Sequence, residues 1–278
     1  MGTDMRMARS LAQAAMGVAL VLLVGACATV PETERSQLLL LSPSQEAQLG
    51  AEAFQEMRGE LDLVDSGPQK AQVERIGRDI VRVAQERLAA RGFESLDWSY
   101  HVADNEQANA FVLPGGKVVF NTGLLDLAQS DAEVAAVMGH EVAHVIARHA
   151  GERLSQGVLI RTGLNVAQAA LSGQSTATRQ ATMAALGLGA TVGVQLPFSR
   201  RHEAEADEIG LLLMAEAGYD PRSAIDFWQR MAEKGGDRPP EILSTHPGPQ
   251  SRIEHLRELM PEALRVYRRE ATWSLGHG

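Results

Sequence analysis

Residues 130–151 read SDAEVAAVMGHEVAHVIARHAG, from Ser130 to Gly151. Ser130 followed by Glu133 is a capping-box pattern. Asp131 and Glu133 suit the positive end of a helix dipole, and Arg148 with His149 suit the negative end ahead of a terminating glycine. The stretch therefore predicts one helix of about 20 residues. Inside it, His140, Glu141 and His144 form HExxH. Side chains four apart share a helix face one turn apart, so both imidazoles can reach a single tetrahedral Zn2+. Glu141 sits beside them, where its carboxylate can take a proton from water that the metal acidifies. Val134, Val137, Met138, Val142, Val145 and Ile146 fill the remaining faces, as expected of a buried helix.

A catalytic zinc takes three protein ligands and keeps one position open, so a third ligand must come from elsewhere. Ser199 to Asp207 is the best source. Glu203 and Asp207 are four apart and share a face, whereas Glu205 points nearly the opposite way and Glu208 about 140° round. Glu203 is read as the ligand. Asp207 is read as the carboxylate that fixes a liganding imidazole from behind. The competing reading is a solvated acidic face with Arg200 and Arg201 as counterions.

The rest of the chain is organised around this pair of helices. Ser42 and Pro43 read as a cap and first helical position, and Val73, Ile76, Ile80, Val83 and Leu88 mark a helix from about Gln69 to Ala90. Trp98, Tyr100 and Val102 alternate as a short strand. Asn109–Leu113 and Lys117–Phe120, joined by Pro114, Gly115 and Gly116, read as a hairpin. Gly157 to Leu196 reads as two closely packed helices, with a membrane hairpin as the rival, since neither half holds the ~20 apolar residues of a span. A helix from Ser199 to Glu216, another from Asp220 and Pro221 to about Lys234, a loop over 235–249 and a final helix complete an α+β, predominantly helical chain.

Arg6 and Arg9 precede an uncharged run from Ala14 to Val24 that is too short to cross a bilayer. Val24, Gly25 and Ala26 then lead to Cys27, the one cysteine of the 278 residues. Residues 1–26 are read as a signal peptide that resembles a lipoprotein lipobox, with Cys27 lipidated and 27–41 a mobile tether to a domain over 42–278. The implied place is the bacterial cell envelope, at the periplasmic face of the outer membrane. A lone cysteine excludes a disulfide framework and thiolate-rich metal sites. A net charge of −9 with 4% aromatic residues argues against nucleic acid as a partner.

HExxH at 140–144, Ser199-Arg-x-x-Glu-x-x-x-Asp207 and Ser244-Thr-His-Pro247 with Arg252 beyond resemble the zinc metallopeptidases of the CAAX prenyl protease, HtpX and Oma type. The resemblance extends to Asn109-Ala-Phe-Val-Leu-Pro-Gly-Gly, Thr122-Gly-Leu-Leu and Ala217-Gly-Tyr-Asp-Pro. It is closest to soluble, lipoprotein-like Oma members, because the spans of the prenyl proteases are missing. It implies a zincin fold with one Zn2+ held by His140, His144 and Glu203 and with Glu141 as general base. It also implies that Asn109, Ala110, Phe111 and Val112 are an edge strand that accepts substrate backbone. His246 is implied near the metal, either aiding the oxyanion or plugging the fourth position. Arg252 is implied either to steady the oxyanion or to pair with a carboxylate. Unfolded or misassembled envelope proteins are the implied substrates. A chaperone with a plugged site is the rival function.

Overall fold

The computed structural model describes residues 27–93, 96–170, 199–234, 242–246 and 249–276. The readings of 1–26 as a signal, of the second of the two helices in Gly157–Leu196, and of most of the 235–249 loop lie outside the described residues. Described elements run β1 (Cys27–Val30), β2 (Arg35–Leu38), α1 (Pro43–Arg58), α2 (Pro68–Ala90), β3 (Ser99–Ala103), β4 (Ala110–Leu113), β5 (Lys117–Asn121), α3 (Thr122–Leu125), α4 (Asp131–Ile146), α5 (His149–Ala170), α6 (Arg200–Glu216), α7 (Arg222–Glu233), α8 (Ile242–Thr245) and α9 (Pro249–Gly276). The architecture is α+β and mostly helical, as the sequence implies.

The HExxH helix α4 is the centre. Every residue from Glu133 to Ile146 is buried, so it has no solvent face and must be enclosed on all sides. Helices α2, α6 and α7 and strand β4 do this. α2 presents Val73, Ile76, Ile80, Val81, Ala84 and Leu88 to the core at helical spacing, and Val83 lies only partly buried beside it.

The helix is shorter than expected. It ends at Ile146, and Arg148 adopts a left-handed φ of 55° before α5 begins at His149. A non-glycine residue in that region is held there by its surroundings. Arg148 donates from Nη2 to the Leu41 carbonyl at 2.7 Å and to Glu46 Oε1 at 2.5 Å. The anticipated capping box is half made: Ser130 Oγ accepts from Glu133 N, but the Glu133 carboxylate accepts from Gln129 N and pairs with Arg230.

The three-stranded sheet is ordered β3-β5-β4, with β3 parallel and β4 antiparallel to β5. Leu63 bridges to Ala103, and Val64 N donates to Val102 O at 2.8 Å. That closes the outer side of β3, and β4 is the edge with no strand beyond it among the described residues. Phe111 faces Val119 in register, and Asn109 O accepts from Asn121 N. Antiparallel pairing alternates, so the main-chain groups of Ala110 and Val112 point away from β5.

The stretch read as a tether is instead a strand pair. β1 and β2 pair antiparallel, and the inward residues of β2 are Arg35 and Gln37, which are buried, with Ser36 exposed between them. Polar residues on the inner face conceal the strand signal, because apolar alternation is what marks a strand in a sequence.

Candidate active site

Two helices meet over the site at a pair of glycines. A Cβ on Gly210 would stand 2.7 Å from the His140 main-chain nitrogen, and one on Gly139 would stand 2.7 Å from the Gly210 carbonyl oxygen. Backbone-to-backbone contact of this kind brings α6 close enough for its carboxylates to reach the imidazoles of α4. Gly210→Ala is therefore expected to wedge the helices apart, costing about 1–3 kcal/mol of stability and lowering zinc affinity. The urea unfolding midpoint and a chelator competition read the two effects.

His140, His144, Glu203 and His246 each offer a ligand atom, all within 4.8 Å of one another, and all four residues are buried. The Nε2 atoms of His140 and His144 are 3.1 Å apart. Nitrogens bound at 2.0–2.1 Å to one tetrahedral ion would lie roughly 3.3 Å apart. Glu203 Oε2 is 3.4 Å from His140 Nε2, and its Oε1 is 3.6 Å from His144 Nε2. His246 Nδ1 is 3.0 Å from Glu203 Oε1 and 3.2 Å from His140 Nε2.

Behind His140, Asp207 Oδ1 lies 3.0 Å from Nδ1. Asp207 also accepts from Arg252, whose Nε is 2.8 Å from Oδ2. Arg252 Nη2 stands 2.9 Å from the same His140 Nδ1. Both are donors when His140 carries its proton there, so Asp207, accepting from each, holds them together. Arg252 Nη1 is 3.1 Å from Glu203 Oε2, and its guanidinium stacks 3.7 Å from the Trp228 ring centroid. Arg252 thus pairs with two carboxylates. Arg200 and Arg201, the counterions of the competing surface reading, are exposed, whereas Glu203 and Asp207 are buried.

Glu141 is buried, its Oε1 has no hydrogen-bond partner, and that oxygen is 3.6 Å from His246 Nε2. Burial pushes its carboxyl above the ordinary range, against the pull of His246 and His140. Burial acts the same way on Glu203, but hydrogen bonds with His140 and His246 and the charge of Arg252 outweigh it, and the carboxyl lies well below its usual value. His144 is pushed well down by burial and by His140.

Burial and Arg252 press His140 toward its neutral form, yet Asp207 and Glu203 outweigh them and hold its pKa up at about 9. A ring must be neutral at the coordinating nitrogen, so cation and proton compete for it. Zinc affinity is expected to rise roughly tenfold per pH unit through the neutral range and to flatten above about 9. Competition titrations at several pH values, corrected for protonation of the competing chelator, check the slope. The fit to zinc rests on the facing ring nitrogens, the adjacent carboxylate held ionised and the unpartnered Glu141 oxygen. Together they form a buried donor set suited to a divalent cation.

Two residues escaped the sequence reading. His149, taken there as a dipole partner, is fully buried, with Nδ1 2.8 Å from His144 Nδ1 and Nε2 2.8 Å from Glu205 Oε2. The chain reversal at Arg148 turns it back under the metal helix, which a continuous helix would not allow. Glu205 does lie off the face of Glu203, but it points into protein instead of solvent. The HExxH motif followed by a third histidine five residues after its second was the available signal.

The family model of Peptidase family M48 matches residues 69–260. The chain belongs to this family. It is 42% identical over 182 residues to the mitochondrial metalloendopeptidase OMA1 of Arabidopsis thaliana, covering 65% of this chain and 36% of that one. Against the mitochondrial metalloendopeptidase OMA1 of Saccharomyces cerevisiae it is 30% identical over 279 residues, covering 93% and 78%. Against the beta-barrel assembly-enhancing protease of Escherichia coli it is 30% identical over 238 residues, covering 82% and 46%. The chain spans about a third of the plant relative and just under half of the bacterial one. M48 metallopeptidases use zinc, and His140, His144, Glu203 and His246 are residues that could hold it. No helix among the described residues is long and apolar enough to cross a membrane.

Proposed function

We propose that the chain is a zinc-dependent metalloendopeptidase of the bacterial cell envelope, anchored through lipidated Cys27, that hydrolyses peptide bonds in unfolded or misassembled envelope proteins. The observation that carries this is the convergence of the HExxH imidazoles with Glu203 beside the unpartnered Glu141 oxygen. His140, His144 and Glu203 would hold the ion. Zinc bound there supplies Lewis acidity, polarising a carbonyl and acidifying water. Glu141 takes the proton of the attacking water at its carboxylate and delivers it to the departing amine. Asp207 holds His140 with its proton on Nδ1, leaving Nε2 free. Ala110 and Val112, with outward main-chain groups on the edge strand, accept the substrate backbone as an added strand, while Asn109 and Phe111 pair with β5 behind them. Main-chain pairing tolerates varied side chains, as degradation of misfolded proteins requires.

The envelope location rests on the lipobox-like sequence before Cys27 and on the likeness to the Escherichia coli protease. A second reading, an assembly factor with a restrained site, is favoured by His246, whose Nδ1 lies among the ligand atoms. Casein degradation, with and without chelator, decides between them. Zinc-dependent cleavage that increases in His246→Ala supports a restrained peptidase. Absence of cleavage in wild type and His246→Ala alike sinks the enzymatic reading. Membrane partitioning of wild type but not of Cys27→Ala tests the anchor.

A further inference from the structure

A second buried polar cluster lies on the far side of His144 from the ligand atoms. Arg35 of β2 donates from Nε to Glu205 Oε2 at 2.7 Å and from Nη1 to Glu152 Oε2 at 2.7 Å. Thr33, in the turn of the same hairpin, donates to Glu205 Oε1. His202 Nε2 is 3.1 Å from Glu152 Oε2, and the His149 and His202 rings stack at 4.4 Å. Arg35, Glu152, Glu205, His149 and His202 are all buried. The guanidinium stands between carboxylates of α5 and α6 and pairs with both. Arg91, just beyond α2, grips the hairpin from outside through Thr29 O at 2.8 Å and Glu32 Oε2 at 2.9 Å.

This cluster reaches the site through one ring. If His144 coordinates through Nε2, its proton sits on Nδ1 and donates to His149 Nδ1. His149 can accept there only with its own proton on Nε2, which Glu205 receives at 2.8 Å. Glu205 keeps its orientation because Arg35 and Thr33 hold its two oxygens. We infer that Glu205 and His149 are positioning residues for His144, and that Arg35 locks them, so that docking of the amino-terminal hairpin sets the affinity of the site for zinc. The proposal rests on the zinc-ligand reading above. It would connect whatever pulls on the segment next to Cys27 to the geometry of a ligand on α4.

The test measures zinc affinity of the full chain by chelator competition, with the unfolding midpoint recorded for each variant. His149→Phe keeps a ring but removes the acceptor, and is expected to weaken zinc binding about ten- to hundredfold. His149→Gln restores an acceptor oxygen and should recover most of that loss. Arg35→Gln should weaken binding about tenfold, and should add little to His149→Phe, because residues acting in one chain are not additive. Wild-type affinity in His149→Phe, or equal losses in the Phe and Gln variants, would overturn the relay. Full additivity, or wild-type affinity in Arg35→Gln, would overturn the hairpin lock. Should His149→Phe not fold, Arg35→Gln alone decides. Failure of wild type to bind zinc more tightly than His144→Ala would instead count against the ligand assignment itself.

Discussion

Glu141→Gln is expected to cut peptide hydrolysis about 10²- to 10⁴-fold, the usual contribution of a positioned proton carrier, while zinc content stays at the wild-type level. The change is nearly isosteric and alters none of His140, His144 and Glu203, the residues that would hold the ion. It also removes a buried charge that burial disfavours more than His246 and His140 favour it, at an oxygen, Oε1, with no hydrogen-bond partner. Its carboxyl is raised by burial, so folding disfavours the charged form relative to the unfolded chain. The sign follows: this residue's contribution to stability is greatest when it is protonated and falls as pH rises through its folded pKa. At neutral pH the amide is therefore expected to unfold at a higher urea concentration than wild type. Casein turnover, metal analysis and the urea midpoint together test this. Wild-type turnover in the variant would remove Glu141 from the mechanism. Lost zinc would make it a site-shaping residue.

Arg252→Ala is expected to destabilise the fold by about 3–5 kcal/mol, because it leaves buried charges without their partner. Asp207 and Glu203 both rely on this guanidinium, and its stacking on Trp228 would be lost as well. The carboxyl of Asp207 lies below its ordinary 3.8 through Arg252 and His140, despite burial. A depressed carboxyl contributes stability above its unfolded pKa and loses it as pH falls through the folded one. Wild type should therefore lose this contribution in acid, below about pH 4, and the variant should show a weaker acid dependence. Denaturant unfolding over that range checks both. Arg252→Ala with a wild-type midpoint would show that Asp207 and Glu203 are satisfied by the histidines alone.

The elements that carry chemistry were legible because their signals are local. HExxH is a four-residue spacing on one helix, and Glu203 with Asp207 is another. In both cases helical periodicity alone puts the paired side chains on one face. The apolar remainder of 130–146 announced a helix buried on every side, and that is what α4 is. The two-glycine turn between β4 and β5 marked the hairpin for the same reason. Its place in the sheet was not visible: β3 adds to β5 in parallel, and segment 62–64 closes the other edge. These pairings join residues distant in sequence.

What the sequence determined on its own is the identity of the donors and their grouping on two helices, since both follow from residue type and a 3.6-residue period. Tertiary structure alone decided how closely those helices approach, through the backbone contact of Gly139 with Gly210, and which charges meet across them. Arg252 over Trp228, Arg35 between Glu152 and Glu205, and His149 turned back on His144 are contacts between residues five to 170 positions apart. Burial makes such charges find partners because an unpaired ion in a low-dielectric interior is costly. That requirement names no particular partner, and only the packing of the chain selects one.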